Sequence, residues 1–265
     1  MNYLIAVDLD GTLFAPSGNV SKRTRMAIED ACSSGHQVVA VTGRSWRTAA
    51  TRLKPVSGIN RIICSNGAYE YRLDERRITW SCPVPGADAT AWCNKIREHF
   101  PQASFGWESA EGLGYEAEFL VAAGDPDSLE QGGDAGLMAA SPAYKIFIRT
   151  PKLARVELQQ AVSDILGGRA EVTPSSAPFV EASLPGVNKA TGLSRVANDL
   201  GFSSAHTMAF GDNLNDLPML EWAGVSIAMG NAVEEVKSVS NRLTLSNSEC
   251  GVAVFIEEFL AKGKL

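Results

Sequence analysis

Tyr3-Leu4-Ile5-Ala6-Val7-Asp8-Leu9-Asp10-Gly11-Thr12-Leu13 runs through five apolar residues and stops at a pair of acids. A short continuous apolar run is the pattern of a parallel strand buried on both faces. On extended backbone, residues i and i+2 point the same way, so Asp8 and Asp10 can face one site at the strand's end. Two carboxylates that close repel, so either a cation sits between them or one holds a proton. Both states serve catalysis, the ionised acid as nucleophile and the neutral acid as proton donor. Gly11 allows the backbone to turn sharply immediately afterwards.

Outward from this stretch the chain alternates strand and helix. Ser21 caps a predicted helix to about residue 34, and Gly35 ends it. A strand at 36–41 ends in Thr42-Gly43-Arg44, a helix covers 46–54, and a third strand covers 62–64. Segments 69–73 and 78–81 flank Asp74-Glu75-Arg76-Arg77 as a hairpin. The alternation resumes at 188, with helices to 200, at 215–223, at 232–239 and closing at 262. Strands at 206–210, 225–229 and 242–245 lie between them. The middle has another character: a helix at 88–99 and a Gly- and Ala-rich stretch including Gln131-Gly132-Gly133-Asp134-Ala135-Gly136. Then come a strand at 144–149, a helix opening at Pro151, and two short strand-like segments before Pro185. The expected fold is α/β, a doubly wound parallel sheet built from 1–82 and 184–265, with an α+β domain inserted at 83–183. Ligands of such sheets bind beyond the carboxyl ends of the strands, near a topological switch point.

Composition narrows the function. The chain has 265 residues, 24 Lys and Arg against 30 Asp and Glu, and a net charge of −6. With 45% apolar and 20% charged residues it reads as an ordinary globular protein. No apolar run approaches the ~20 residues of a membrane span. The start lacks a basic segment and reaches Asp8 early, unlike a signal peptide. Without a Lys/Arg block, nucleic acid is not an expected partner. The cysteines Cys32, Cys64, Cys82, Cys93 and Cys250 are scattered, and His36, His99 and His206 show no metal-ligand spacing. A reduced cytoplasmic protein without zinc is expected.

Asp8-Leu9-Asp10-Gly11-Thr12-Leu13 resembles the first motif of the haloacid-dehalogenase-like phosphohydrolases. The family's other motifs follow in order. Thr42-Gly43-Arg44 is similar to the second and Lys189, in Gly186-Val187-Asn188-Lys189-Ala190, to the third. Gly211-Asp212-Asn213-Leu214-Asn215-Asp216 is similar to the fourth. Ser65-Asn66-Gly67-Ala68 and Pro218-Met219-Leu220 resemble the Cof-type sugar-phosphate phosphatase branch. The resemblance covers the outer segments and is weak in the middle, where the family's larger α/β cap is inserted between the second and third motifs.

The resemblance implies phosphoryl transfer, which needs an in-line nucleophile and positive charge aimed at the equatorial oxygens. It makes Asp8 the nucleophile of an aspartyl-phosphate, and Asp10 the acid for the leaving alcohol and then the base for water. Asp8, Asp212 and the Asp10 carbonyl would hold Mg²⁺, with Asp216 one layer out, on a bound water or orienting Lys189. Lys189 would supply charge to the phosphoryl group and to Asp8. The Thr42 hydroxyl, the Leu9 and Gly43 amides and Asn215 would contact its oxygens. Arg44 reads equally as a substrate contact or a structural ion pair. Taken alone, Lys189 reads as a surface charge, Thr42-Gly43 as a plain turn and Asp216 as a helix cap. Trp46, Trp92, Trp107 and Trp222 read as packing residues. Segments 104–118 and 172–184 are expected to contain site-facing loops; Glu108, Glu111, Glu116, Glu118 and Glu181 are candidate acceptors for sugar hydroxyls, although most of them read better as surface charge.

The expected activity is Mg²⁺-dependent hydrolysis of small phosphorylated metabolites, sugar phosphates foremost. The alternatives are a phosphomutase of the phosphomannomutase type, which would need a bisphosphate activator, and a non-catalytic phosphate-ligand binder. Neither substrate identity nor oligomeric state follows from the residues.

Overall fold

The computed structural model describes residues 2–119, 141–174 and 178–262. The chain divides into two compact units, Met1–Trp80 with Asn188–Leu265, and Ser81–Val187.

The first unit is built on an eight-stranded sheet. In chain order its strands are β1 (Leu4–Val7), β2 (Gln37–Val41), β3 (Ile59–Cys64), β4 (Tyr69–Arg72), β5 (Arg77–Ser81), β11 (Thr207–Gly211), β12 (Val225–Ala228) and β13 (Arg242–Leu243). Their spatial order is β13-β12-β11-β1-β2-β3-β4-β5. The pairs from β13 to β3 are parallel and β4 turns back antiparallel on β3. Strand β1 is central and every side chain in it is fully buried, which explains its unbroken apolar run. From β1 the chain steps to β2 and β3 on one side, then returns to β11 on the other. The switch point is therefore at β1 and β11, and Asp8 and Asp212 lie at its carboxyl end.

Helices α1 (Lys22–Ser33), α2 (Trp46–Leu53), α5 (Lys189–Asp199), α6 (Leu217–Trp222), α7 (Glu234–Val239) and α8 (Gly251–Lys262) complete this unit. The Ser21 side chain caps α1 by accepting from the Thr24 amide at 3.0 Å. The helix predicted over 215–223 is a 3₁₀ turn, Leu214–Asp216, followed by α6 with Pro218 in its first turn. Packing of apolar side chains from both faces of the sheet supplies most of the stabilisation, at roughly 25 cal/mol per Å² buried.

The second unit is a five-stranded antiparallel sheet of order β7-β6-β8-β10-β9. Its strands are β6 (Ser104–Ser109), β7 (Leu113–Tyr115), β8 (Ala143–Arg149), β9 (Glu171–Pro174) and β10 (Val180–Ser183). One face carries Phe105, Trp107, Ile146, Ile148, Val180 and Ala182 into a core with α3 (Gly86–His99) and α4 (Arg155–Leu166). Trp107 is a packing residue, as expected, and a side chain at Gly114 would strike its ring.

Much of segment 104–118 is the β6–β7 hairpin, with its loop at 110–112. Two expectations for this unit need correction. Helix α4 does not open at Pro151. It begins at Arg155, because Glu157 reaches back to the Ala154 amide at 3.1 Å and fixes the start there. Among the five glutamates, only Glu111 and Glu118 are exposed. Glu108 is buried, Glu116 pairs with Arg97, and Glu181 pairs with the buried Lys145 at 2.7 Å. The stretch Gln131 to Gly136 lies outside the described residues. All five cysteines are free thiols, and no described helix is long and apolar enough to cross a membrane.

Candidate active site

Three loop ends and one helix start meet at the carboxyl edge of the parallel strands. Strand β1 delivers Asp8, and the chain turns back at once, with the Leu13 amide on the Asp8 carbonyl at 3.1 Å. Gly11 makes that turn possible in two ways. Its φ is +83°, and a Cβ there would sit 2.2 Å from Asp212 Oδ2. Strand β11 delivers Asp212, whose Oδ1 accepts from the Thr12 hydroxyl at 2.7 Å. Asn188 caps α5 through a reciprocal bond pair with Thr191, so Lys189 starts the helix.

Lys189 is the centre of the site. Its Nζ donates to Asp8 Oδ1 at 2.5 Å and to Asp216 Oδ1 at 2.6 Å, and the side chain is fully buried. The reading of Lys189 as a solvated charge is thereby excluded. Asp216 is also fully buried and uses both oxygens: Oδ2 accepts from the Asp212 and Asn213 amides at 2.9 and 3.0 Å. Asn213, not Asp216, caps the turn that follows, through the Leu214 amide at 2.8 Å.

Oxygens of Asp8, Asp212 and Asp216 lie within 4.8 Å of one another. Three carboxylates share one ammonium, so the cluster carries uncompensated negative charge. Burial pushes Asp8 well above the ordinary carboxylate range, opposed by Lys189 and reinforced by Asp216 and Asp212. Burial likewise pushes Asp212 to about 6, against the Thr12 bond and with the Asp216 charge. For Lys189 burial works downward, but the charges of Asp216 and Asp8 outweigh it and hold the ammonium above its ordinary value. Such a cluster is relieved by a cation or by a proton. Asp216 has no oxygen to spare, whereas Asp8 Oδ2 and Asp212 Oδ2 meet no donor among the described residues. A hard divalent cation fits this all-oxygen donor set.

Asp10 points to the more open side and is half exposed. Arg44 holds it through two bonds, Nε to Oδ2 at 2.6 Å and Nη2 to Oδ1 at 2.7 Å. Of the two roles open to Arg44, the structure displays the ion pair. Thr42 is buried, and its Oγ1 accepts from the Arg44 amide at 3.1 Å, leaving its proton for another acceptor. The Leu9 amide donates to no group among the described residues. Asn215 is exposed and donates to Asn66 Oδ1 at 3.1 Å.

Two contacts were not foreseen. Asn66 meets Asn215, and its signal was the Asn-Gly pair in Ser65-Asn66-Gly67, which marks a left-handed turn. Asn231 donates to the Gly11 carbonyl at 2.8 Å from a loop without a chemical pattern of its own.

The profile of the haloacid dehalogenase-like hydrolases matches residues 5–256. The chain is similar to the 5-amino-6-(5-phospho-D-ribitylamino)uracil phosphatase YitU of Bacillus subtilis (strain 168), 29% identical over 98% of each chain. Another such phosphatase of that organism, YcsE, is 30% identical over 97% of this chain and 95% of its own. Among solved structures, the phosphatase BT1666 of Bacteroides thetaiotaomicron superposes with a TM-score of 0.84 at 25% identity, covering 98% of this chain and 95% of that one. The chain belongs to the haloacid dehalogenase-like hydrolases and is a phosphatase of their Cof-type branch.

Proposed function

We propose that this protein is a Mg²⁺-dependent phosphomonoesterase that hydrolyses small phosphorylated metabolites, sugar phosphates foremost, through an aspartyl-phosphate on Asp8. The observation that carries the proposal is the buried Lys189 bridging Asp8 and Asp216, with Asp212 beside them at the sheet's switch point. An acid and an ammonium placed so, beneath strand-end amides, match the needs of in-line phosphoryl transfer. The ribityl phosphate in the names of two relatives supports a polyol or sugar phosphate as substrate class.

In this reading the Asp8 carboxylate attacks phosphorus, the ester P–O bond breaks, and Asp10 gives its proton to the departing alkoxide. Water then attacks the phosphorus of the acyl phosphate, Asp10 takes the water's proton, and the Asp8 carboxylate is released with inorganic phosphate. The Arg44 pair fixes the orientation of the Asp10 carboxyl group, which acts in both halves. Lys189, the Thr42 hydroxyl, the Leu9 and Gly43 amides and Asn215 supply donors for the phosphoryl oxygens. Asp8 and Asp212, with the Asp10 carbonyl, would hold Mg²⁺, which when bound neutralises charge on the transferring group. Asp216 acts one layer out by fixing Lys189. We assign the unit inserted between the Thr42 and Lys189 motifs to substrate selection. Free thiols throughout fit a cytoplasmic protein.

A phosphate-release screen over sugar, polyol and cofactor phosphates, run with Mg²⁺ and with EDTA, tests the proposal. Release with Mg²⁺ alone, without a bisphosphate activator, is expected. No release from any substrate, or release that survives EDTA, would refute it.

A further inference from the structure

Ser65, Asn66 and Gly67 have φ values of 49°, 55° and 99°, three left-handed residues in succession. Two of them carry side chains, and each such residue costs free energy that the surrounding structure must offset. The surroundings here are specific. The Ser65 and Asn66 amides donate to the Arg44 and Thr42 carbonyls, both at 3.0 Å, so the turn is stitched to the loop after β2. Gly67 lies against the start of α5, where a Cβ would fall 2.0 Å from the Asn188 carbonyl oxygen. Gly192, one turn along, faces Gly67 from its own side, where a Cβ would fall 2.8 Å from the Gly67 Cα. The Asn66 side chain lies across Gly43 and accepts from Asn215 at 3.1 Å. One strained turn thus touches the Thr42–Arg44 loop, the helix that carries Lys189, and the loop that carries Asn215.

We infer that Asn66 is a positioning residue: its left-handed backbone locks these three segments in register, and its side-chain oxygen aims Asn215 at the phosphoryl oxygens of the substrate. The inference rests on the proposed phosphatase reading and adds to it a residue that touches neither nucleophile nor metal ligand. Strain retained at a position where glycine would be comfortable needs a reason, and the Asn215 bond is the contact that glycine cannot supply.

Asn66→Gly isolates that bond, because glycine accepts the same backbone conformation. The variant is expected to melt at or above the wild-type temperature, while Asn66→Ala melts below Asn66→Gly. Despite its intact fold, Asn66→Gly should lose about tenfold or more in kcat/KM with p-nitrophenyl phosphate, most of it in KM. In an Asn215→Ala background the same change should cost almost nothing further, because the two residues act as a unit. A wild-type KM in Asn66→Gly, or losses that simply add in the double variant, would overturn the inference. The Asn215 side-chain amide signals in a ¹⁵N-resolved NMR spectrum give a second readout. They should hold a distinct, dispersed position in the wild type and collapse toward free-amide values in Asn66→Gly; unchanged signals would overturn the inference. If wild-type protein released no phosphate at all, the phosphatase reading would fall, and the NMR comparison would still decide whether Asn66 positions Asn215.

Discussion

Asp216 offers the sharpest perturbation of the charge cluster. Its Oδ1 faces the Lys189 ammonium, with both side chains fully buried, and its Oδ2 faces the amides of Asp212 and Asn213. Asp216→Ala removes every one of these acceptors and leaves Lys189 buried with Asp8 alone. Breaking a buried, hydrogen-bonded ion pair from one side costs about 3–5 kcal/mol. For a unit of about 150–250 residues, each kcal/mol moves the melting temperature by roughly 2–4 °C, so a fall of about 6–20 °C is expected. Asp216→Asn is the informative companion, since it keeps the volume. An amide has one oxygen and one NH₂, so in either orientation a donor faces a donor: the ammonium, or the two backbone N–H groups. Its cost should therefore be about 2 kcal/mol or more, approaching that of alanine. Urea unfolding followed by tryptophan fluorescence, in EDTA to remove metal linkage, measures both values. If both variants unfold within about 1 kcal/mol of wild type, the reasoning that Asp216 holds Lys189 in a dry, fully satisfied network is wrong.

Three further outcomes are expected. Gly11→Ala pushes a methyl group into Asp212 and forces alanine to φ +83°, so it should cost about 1–3 kcal/mol of stability and raise the Mg²⁺ concentration for half-maximal activity more than tenfold; an unchanged Mg²⁺ titration would contradict this. His36 takes the Tyr3 amide on Nδ1 at 3.0 Å, and burial lowers its pKa, so unfolding below the free-histidine value of about 6.5 takes up a proton. Stability should hold above that pH and fall as pH drops through the lowered folded pKa. That loss should be missing from His36→Gln in chemical denaturation at pH 5 and 7.5. Asp8→Asn keeps an oxygen for Lys189 and relieves the crowding of three carboxylates, so the fold should be retained while p-nitrophenyl phosphate turnover is abolished; retained turnover would remove Asp8 as nucleophile.

Much of the core unit was readable because its strands are buried on both faces. Leu4–Val7 and Thr207–Gly211 are short apolar runs with no competing periodicity, and each ends at the acid it presents. Lys189 was readable only through its place in a series of motifs, since nothing about one lysine at a helix start announces that two carboxylates will bury it. Arg44 was undecided for a physical reason: whether a guanidinium meets Asp10 or a ligand depends on side-chain reach across two loops. The β6–β7 hairpin was missed because both of its faces are buried. Glu108 and Gly106 on one face alternate with Phe105 and Trp107 on the other, so the polar positions resemble loop rather than strand. Glu108, Glu116 and Glu181 then read as surface charges, because their partners Arg97 and Lys145 come from distant elements and the burial of Glu108 is a tertiary property. The Asn66–Asn215 contact spans 149 residues of chain, beyond any local pattern.

In the proposed reaction Asp8 carries the phosphoryl group. Asp10→Asn separates the two half-reactions, because p-nitrophenolate leaves without a proton whereas water cannot attack without a base. Wild-type and Asp10→Asn proteins would be mixed with p-nitrophenyl phosphate and Mg²⁺, quenched in acid, digested and weighed by mass spectrometry. A single phosphoryl group is expected in Asp10→Asn, on the peptide containing Asp8 and removable by hydroxylamine. Wild-type protein turning over normally while no phosphoryl group is found on Asp8 in either protein, or one found on another residue, would contradict it.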